Sequence, residues 1–386
     1  MDTSRIYSVG EARRRAARSV PRALFDYIDG GAEDEVTLHQ NEQAFRETTF
    51  RPRMAVEAGE PRLSISLLGT PLSIPVLLAP CGLVRFMHPE GASAVARAAA
   101  VAGTVSVLST VAGTSLEEFA TSSPGPKWFQ LYAPGGPEQT GELVRRAQDA
   151  GYAGLVVTLD TPALGHRERD VRHGVTQPFR FTAASAGRLA AQVAMRPRWL
   201  AGMARAEMRA RAGSPDNTGA SGATPSARLV AMGASPFSWD DVGAIREQWS
   251  GPLAVKGVLS PHDARRAVEV GCDAVIVSNH GGRQLDGAPA TFRVLPAIVD
   301  ALGGSAAVVL DSGIRRGSDV VKAVAAGADA VMIGRAYLYG LAAGGEAGVT
   351  RVLEILRTEM VRTMSLMGCP SVAHLDRSWL EMPARL

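Results

Sequence analysis

The segment 278–286 reads SNHGGRQLD and places a histidine and an arginine three residues apart. It follows the apolar run 273–277, which is typical of a buried strand running out into a loop. A histidine can accept a proton near neutral pH, and an arginine can bind a carboxylate through two parallel hydrogen bonds. The pair therefore indicates chemistry on a small acid, with Arg283 holding the carboxylate and His280 acting on the adjacent carbon. For this segment alone, a loop histidine beside a surface arginine is the alternative.

Eight short apolar runs, rich in β-branched residues, recur along the chain with helical segments between them. Most are apolar on both faces, as parallel strands covered by helices are. The predicted strands are 75–80, 104–110, 127–132, 154–160, 253–258, 274–280, 306–313 and 330–335. The predicted helices are 90–101, 115–121, 138–150, 260–270, 291–301 and 315–325.

This alternation predicts an α/β fold, a (β/α)8 TIM barrel with an N-terminal helical segment. The chain before residue 70 would supply helices and a short hairpin that close the barrel bottom. A doubly wound sheet is the alternative, but no G-x-G-x-x-G motif follows the first predicted strand. We expect residues 1–386 to form one domain.

The connection 161–235, after the fourth predicted strand, is unusually long. Its first part, 187–212, mixes apolar residues with arginines, and Pro197 divides it into two helical pieces. Its second part, 213–226, is rich in Gly, Ser, Thr and Pro and is predicted to be flexible. A basic amphipathic helix can lie on an anionic membrane surface. A helical flap with its arginines in solvent is the alternative.

Composition narrows the function classes. The 386-residue chain is 46% hydrophobic, which favours a large core, and its net charge of +3 gives no indication of nucleic-acid binding. Its three cysteines are scattered, without disulfide or metal-ligand spacing, as in a reducing cytoplasm. No apolar stretch reaches the ~18 residues of a membrane span. We therefore expect a cytoplasmic protein without a metal site, with peripheral contact to the inner face of the cell membrane left open by the long loop.

Polar groups or glycines follow all eight predicted strands, at the face where TIM barrels carry their sites. They are Pro80, Cys81, Gly82, Ser109, Gln130, Tyr132, Thr158, Asp160, Lys256, Ser278, His280, Asp311, Gly313, Gly334 and Arg335. The last two strands form the usual phosphate corner, where glycine N–H groups, Arg315 and Arg335 could bind a phosphate. A lysine at position 256 would be costly unless it met an anion, such as a reduced cofactor or a Schiff-base substrate.

Longer motifs identify the family that the chain resembles. They are FDY at 25–27, GGA at 30–32, RPR at 51–53, AP at 79–80, HPEG at 88–91, WFQLY at 128–132, TLDTP at 158–162, VKG at 255–257, SNHGGRQLD at 278–286 and DSG at 311–313. In this order they resemble the FMN-dependent L-2-hydroxy acid oxidases and dehydrogenases, over about residues 20–380. That family includes glycolate oxidase, lactate oxidase, and lactate and mandelate dehydrogenases. The resemblance implies FMN as cofactor and a small 2-hydroxy acid as substrate.

The resemblance also implies roles for single residues. His280 receives the α-proton or the hydroxyl proton of the substrate, and Asp160 orients and stabilises the imidazolium. Lys256 places positive charge near the flavin and stabilises its reduced form. The implied substrate contacts are Arg283, Arg167 and Tyr27 for the carboxylate and Tyr132 for the hydroxyl. The implied FMN contacts are Pro80, Cys81, Gly82, Ser109, Gln130, Thr158 and Ser278 for the ring system, Asp311 for the ribityl chain, and Gly313, Arg315, Gly334 and Arg335 for the phosphate.

Departures from the family pattern bear on acceptor and substrate. Gly82 stands where the oxidases of the family commonly have alanine and its lactate and mandelate dehydrogenases have glycine. Val111 stands where glycolate oxidases have tryptophan, which leaves room for a larger side chain. With the long loop, these positions favour a lactate- or mandelate-like substrate and transfer of electrons to membrane quinone. An oxidase that produces hydrogen peroxide is the alternative. Nothing explains Cys81, where the family usually has threonine or another branched residue.

Two readings from other classes stay open at the level of sequence. A Schiff-base aldolase would also use a lysine at position 256, and a peripheral membrane scaffold would use the segment 187–212. Because the family is often tetrameric, the resemblance also predicts a homo-oligomer.

Overall fold

The β-branched runs of the sequence form a closed barrel. The computed structural model describes residues 2–56, 59–132, 136–174, 182–210 and 237–383. Its strands are β1 (Thr49–Phe50), β2 (Ile65–Leu67), β3 (Thr70–Leu72), β4 (Val76–Leu78), β5 (Ser106–Ser109), β6 (Lys127–Leu131), β7 (Gly154–Thr158), β8 (Leu253–Val258), β9 (Ala274–Val277), β10 (Ala307–Asp311), β11 (Ala330–Ile333) and β12 (Leu380–Glu381). Strands β4 to β11 pair in parallel in chain order, and β11 pairs with β4 to close the barrel. The predicted TIM barrel is confirmed, although most of its strands are shorter than predicted because their polar ends turn into loops.

Helices surround the barrel. They are α1 (Val9–Ser19), α2 (Arg22–Asp29), α3 (Val36–Glu47), α4 (Gly91–Val101), α5 (Leu116–Thr121), α6 (Pro137–Asp149), α7 (Glu168–His173), α8 (Ala183–Ala194), α9 (Pro197–Ala210), α10 (Trp239–Gln248), α11 (Pro261–Glu269), α12 (Thr291–Leu302), α13 (Gly317–Ala325) and α14 (Arg335–Met367). The last is kinked at Gly344 and Gly345. All six helices predicted between strands are present, and α5 and α11 begin after serines whose hydroxyls accept the N–H three residues on.

Each barrel strand buries both of its faces. In β4, Val76 and Leu78 pack in the layer between barrel and helices, whereas Leu77 belongs to the barrel interior. The interior is filled by apolar side chains of alternating size, among them Val105, Trp128, Val156, Ala254, Ile276, Val309 and Met332. Burial on both faces explains why these runs are apolar without interruption.

The N-terminal segment covers both ends of the barrel. Leu67 and Leu72 of the β2–β3 hairpin pack with the interior residues, so the hairpin closes the bottom as predicted. For α2 and α3 that prediction is wrong, because they lie at the opposite, carboxyl end. There Arg283 donates to the carbonyl of Tyr27 at 2.6 Å, and Asp286 accepts the N–H of Thr37 at 2.8 Å. Carbonyl groups at the end of one helix and N–H groups at the start of the next find their partners in the strand-end loops.

The described part of the long connection after β7 contains three helices. The sequence did not predict α7, whereas α8 and α9 are the predicted helical pieces, separated next to Pro197. Proline is tolerated there because the first turn of a helix needs no N–H donor. The segment 213–226, predicted to be flexible, lies outside the described residues. Among the helices described, none is long and apolar enough to cross a membrane.

Gly154 begins β7 in close contact with the indole of Trp128. A Cβ at this position would lie 2.7 Å from the ring. We expect Gly154→Ala to lower the free energy of unfolding by about 1–3 kcal/mol, because the packed interior has no space for the added methyl group. The midpoint of urea unfolding measures the change. The matched control is Gly243→Ala in α10, where nothing lies within 4 Å of an added Cβ and a gain of about 0.5–1 kcal/mol is expected. Equal midpoints for the two variants would contradict the packing argument.

Candidate active site

A cavity of about 140 Å³ lies at the carboxyl ends of the barrel strands. Most of the predicted site residues line it: Tyr27, Pro80, Cys81, Gly82, Tyr132, Arg167, Lys256, His280, Arg283, Asp311, Gly313, Arg315, Gly334 and Arg335. The others, Ser109, Gln130, Thr158, Asp160 and Ser278, lie outside this lining. Residues distributed over more than 300 positions of the chain thus meet at the face that the TIM barrel predicts.

His280 and Asp160 form a hydrogen-bonded pair. The distance from His280 Nδ1 to Asp160 Oδ1 is 3.0 Å. The chain turns sharply after β9, with positive φ angles of 58° at His280, 70° at Gly281 and 72° at Gly282. Gly257 permits the approach of Asp160, since a Cβ at 257 would lie 2.6 Å from the Cβ of Asp160. With Nδ1 bound, Nε2 is the ring nitrogen that can exchange a proton in the cavity.

The charges of this pair suit a base. Burial lowers the pKa of His280, although the carboxylate of Asp160 opposes the shift. The imidazole is therefore neutral near pH 7 and ready to accept a proton. Burial alone would raise the pKa of Asp160, but the attraction of His280 and Lys256 outweighs it and lowers that pKa. Asp160 thus stays ionised and can stabilise an imidazolium.

Lys256 forms a buried ion pair with Asp311 beside the cavity. Its Nζ lies 3.0 Å from Asp311 Oδ2 and donates to Ser278 Oγ at 2.7 Å. Ser278 in turn donates to Asp311 at 2.7 Å. Burial would lower the pKa of Lys256, but Asp311 and Asp160 raise it, so the amine is charged. A charged amine is a poor nucleophile, which disfavours the aldolase alternative.

Two arginines and two tyrosines line the same cavity. The guanidinium of Arg283 lies 5.0 Å from the ring centre of Tyr27. Arg167 Nε donates to the carbonyl of Arg283 at 3.3 Å. Burial, reinforced by the charge of Arg283, lowers the pKa of Arg167 to about 10. Burial also raises the pKa of Tyr132, which keeps its hydroxyl protonated and able to donate. Two positive charges and a hydroxyl group in one cavity favour binding of an anion that carries a neighbouring polar group.

The phosphate corner differs from expectation in one respect. Arg335 donates to the carbonyls of Ile28, Gly30 and Gly281 at 2.9, 2.8 and 2.8 Å. Its guanidinium, expected to neutralise a phosphate, is therefore bound to main-chain oxygens. Arg315 Nε lies 3.3 Å from a carboxylate oxygen of Glu42. The N–H groups at the start of α14, after Gly334, remain suited to an anion.

Buried polar atoms indicate a ligand that the protein itself does not supply. Ser109 donates to Gln130 Oε1 at 2.7 Å. Within the described ranges, Gln130 Nε2 and Thr158 Oγ1 are buried and have no hydrogen-bond partner. Because buried polar atoms are normally paired, these atoms fit the polar edge of a ring system bound at the strand ends. With glycines and cations at the phosphate corner, the residues present fit FMN.

Sequence reasoning missed side chains that hold the loop after β9, residues 278–286. Gln284 Nε2 donates to the carbonyls of Asp160 and Ala163, both at 2.8 Å. Asn279 and Asn41 bind each other through reciprocal amide hydrogen bonds of 2.8 and 2.9 Å. The motif SNHGGRQLD contains two of these residues, but their partners are distant in sequence and could not be identified from it.

The chain is similar to known proteins over nearly its whole length. It is 39% identical to a peroxisomal (S)-2-hydroxyacid oxidase of Arabidopsis thaliana, with 97% of this chain and 96% of the relative covered. It is 42% identical to a putative L-lactate dehydrogenase of Mycobacterium tuberculosis, with 98% and 90% covered. A crystal structure of the monotopic membrane protein (S)-mandelate dehydrogenase superposes with a TM-score of 0.90 at 37% identity, covering 98% of this chain and 100% of that one.

The family described as FMN-dependent dehydrogenase matches residues 16–382. This match agrees with the barrel, the paired histidine and carboxylate, and the unpaired polar atoms at the strand ends. The chain therefore belongs to the family of FMN-dependent dehydrogenases, and its cofactor is FMN.

Proposed function

We propose that the protein oxidises an L-2-hydroxy acid to the 2-oxo acid with FMN. The observation that carries this proposal is the hydrogen-bonded pair of His280 and Asp160 beside a cavity that also holds Arg167 and Arg283. Such a base can take a proton from a substrate whose carboxylate the two guanidiniums bind. The names of the relatives, hydroxyacid oxidase and lactate dehydrogenase among them, support the same chemistry.

The roles of the protein side chains follow from this arrangement. Arg283 and Arg167 bind the substrate carboxylate, and Tyr132 hydrogen-bonds the substrate hydroxyl. His280 accepts at Nε2 a proton released from the α-carbon or the hydroxyl, and Asp160 stabilises the positive imidazolium. FMN, when bound, accepts the two electrons that leave the substrate.

The cofactor side of the proposal rests on the buried polar groups. Gln130, Thr158 and Ser278 would contact the ring system, and Asp311 would contact the ribityl chain. The charge of Lys256 beside them favours a cofactor that gains negative charge on reduction. Gly313, Gly334 and the side chain of Arg315 would surround the phosphate. The side chain of Arg335 is already bonded to three carbonyls, so we expect this residue to contact the phosphate through its main chain.

We further propose that the electrons pass to membrane quinone. A Cβ at Gly82 would lie 3.1 Å from Val111 Cγ2 and 3.6 Å from the hydroxyl of Tyr27, so glycine keeps this wall of the cavity open. In the family that the chain resembles, the lactate and mandelate dehydrogenases commonly have glycine at this position and the oxidases commonly have alanine. The short side chain of Val111 on the same wall supports a substrate larger than glycolate.

The α8–α9 pair supports contact with a membrane surface. Trp199 donates to the carbonyl of Phe86 at 2.9 Å, and Gln192 accepts the N–H of Ala23 at 2.9 Å, so the pair is held on the barrel. Its outer side exposes apolar side chains, 63% for Met195, 45% for Leu200 and 68% for Met208. Exposed arginines accompany them, namely Arg188, Arg198 and Arg205. Apolar and basic groups on one surface fit an anionic bilayer. The homo-oligomer and the cytoplasmic location stay predictions.

Anaerobic mixing with 2-hydroxy acids tests the reaction. We expect glycolate, lactate, mandelate or 4-hydroxymandelate to bleach the flavin absorbance of the purified holoprotein. His280→Gln should retain FMN and lose turnover by about 10²–10⁴-fold, because the general base is gone. The control is His262→Gln, which alters a histidine that is 85% exposed on α11. The proposal fails if none of the four acids bleaches FMN-loaded protein, or if His280→Gln turns over normally.

The same bleached protein tests the acceptor. Reoxidation by a quinone analogue is expected to be faster than reoxidation by air-saturated buffer. The reverse order would make the protein an oxidase.

Lys256→Met should destabilise the protein in a pH-dependent way. Without the amine, burial would raise the pKa of Asp311, so its charge costs stability at neutral pH, by about 3–5 kcal/mol. The loss should shrink as the pH falls and Asp311 becomes protonated. Urea midpoints at pH 7 and pH 5 measure it. Lys127→Met is the control, because Lys127 donates to the carbonyls of Ser123 and Gly125 rather than to a carboxylate. A loss that is equal at both pH values would contradict the role of the ion pair.

Co-sedimentation tests membrane contact. The protein should sediment with vesicles of phosphatidylglycerol and phosphatidylcholine, and the triple variant Met195→Ser, Leu200→Ser, Met208→Ser should stay in the supernatant. The control changes three apolar residues elsewhere that are more exposed than these, by Met54→Ser, Val101→Ser and Leu366→Ser. If the two triple variants bind vesicles alike, the α8–α9 surface is not the contact.

A further inference from the structure

A buried carboxylate, Asp170, lies behind one of the two cavity arginines. It is the third residue of α7 and is only 7% exposed. Its Oδ2 lies 3.8 Å from Nη1 of Arg167, whose side chain is 12% exposed. The proposed reaction gives Asp170 no role. Burying a carboxylate costs free energy unless its charge stabilises a neighbouring cation.

The charged groups around Asp170 come from three elements. Arg167 immediately precedes α7 and His173 ends it, Arg283 approaches from the loop after β9, and Asp26 faces Asp170 from α2. Asp26 has its own partners, because His173 Nε2 lies 2.8 Å and Arg22 Nε 2.7 Å from its Oδ2. In the described part of the chain, Asp170 is therefore the carboxylate that forms an ion pair with Arg167.

The position of Asp170 is fixed by contacts of its helix. Arg169 donates to Asp29 at 2.9 Å, and also binds the carboxylate of Glu35. The N–H of Glu33 donates to the carbonyl of His166 at 2.7 Å. These bonds tie α7 to the end of α2 and the turn after it. They therefore hold the backbone of Asp170 beside Arg167.

We propose that Asp170 is the resting counter-ion of Arg167 and a positioning residue that limits the affinity of the site for carboxylates. The inference rests on the proposed function, in which Arg167 and Arg283 bind the carboxylate of the substrate. In the empty cavity, the negative charge of Asp170 offsets the repulsion between the guanidiniums of Arg167 and Arg283. When a carboxylate binds, it shares Arg167 with Asp170, and the repulsion between the two anions weakens its binding. The same repulsion weakens binding of the 2-oxo acid product and so favours its release.

The charge state of Asp170 supports this role. Burial raises the pKa of Asp170, although Arg283 and Arg167 oppose the shift. A carboxylate bound nearby would raise that pKa further, because like charges disfavour each other. Binding of the anion should therefore be accompanied by uptake of part of a proton.

Equilibrium binding to the holoprotein tests the proposal. The ligand is 2-hydroxy-2-methylpropanoate, which has no α-hydrogen and cannot be oxidised by this reaction, and the neutral comparison is its amide. Flavin absorbance reports binding. Asp170→Asn should bind the carboxylate about three- to tenfold more tightly than the wild type, since the competing charge is removed. Affinity for the amide should not change.

Two further variants make the comparison specific. Asp170→Glu retains the charge and should bind the carboxylate like the wild type. Glu168→Gln removes a carboxylate of the same helix that is 47% exposed and paired with Arg172 at 2.7 Å, and it should have no effect.

If Asp170→Asn does not fold, calorimetry of the His280→Gln holoprotein in buffers of different ionisation enthalpy takes its place. Proton uptake on carboxylate binding is then expected, since His280 no longer titrates.

The outcomes separate this inference from the proposed function. Equal or weaker carboxylate binding by Asp170→Asn, or no proton uptake in the calorimetric experiment, overturns the role of Asp170 alone. If the wild type does not bind the carboxylate, or if Arg283→Met binds it equally well, the carboxylate site and the inference fail together.

Discussion

The attachment of α2 to two barrel arginines is the interaction on which the cavity depends. Arg283 and Arg335, which follow different barrel strands, bind the carbonyls at the end of α2. Helix carbonyls have no partners within the helix at this end, and they attract cations. The end of α2 therefore closes the cavity, places Tyr27 in its wall and joins the loop after β9 to the phosphate corner. Arg335 makes the last connection through the carbonyl of Gly281.

The second constraint is the balance of buried charge at the strand ends. Lys256 is paired with Asp311, and His280 with Asp160, so neither carboxylate lies unpaired in the barrel mouth. The two arginines that line the cavity carry less compensation, with Asp170 at 3.8 Å from one of them. An excess of positive charge in the same cavity as an imidazole that can accept a proton is an arrangement that suits a small hydroxy acid.

The long connection after β7 carries parts of two proposed sites. Its first helix, α7, follows Arg167 and is tied to the end of α2 by ion pairs. Its next two helices are held on the barrel by contacts that include the hydrogen bonds of Trp199 and Gln192, and they expose apolar and basic side chains. The proposed carboxylate site and the proposed membrane-contact surface thus lie in neighbouring parts of one connection.

The sequence by itself determined the barrel, the pair of His280 and Asp160, and the family. Apolar runs with a polar end predict parallel strands and the face that carries the site, because these features are local to each strand. It did not predict the place of α2 and α3, the carbonyl bonds of Arg335, or the partners of Gln284 and Asn279. Those depend on which distant main-chain groups are left without partners after folding. Only the tertiary structure decides that, since a hydrogen bond between residues 28 and 335 leaves no periodic pattern in the chain.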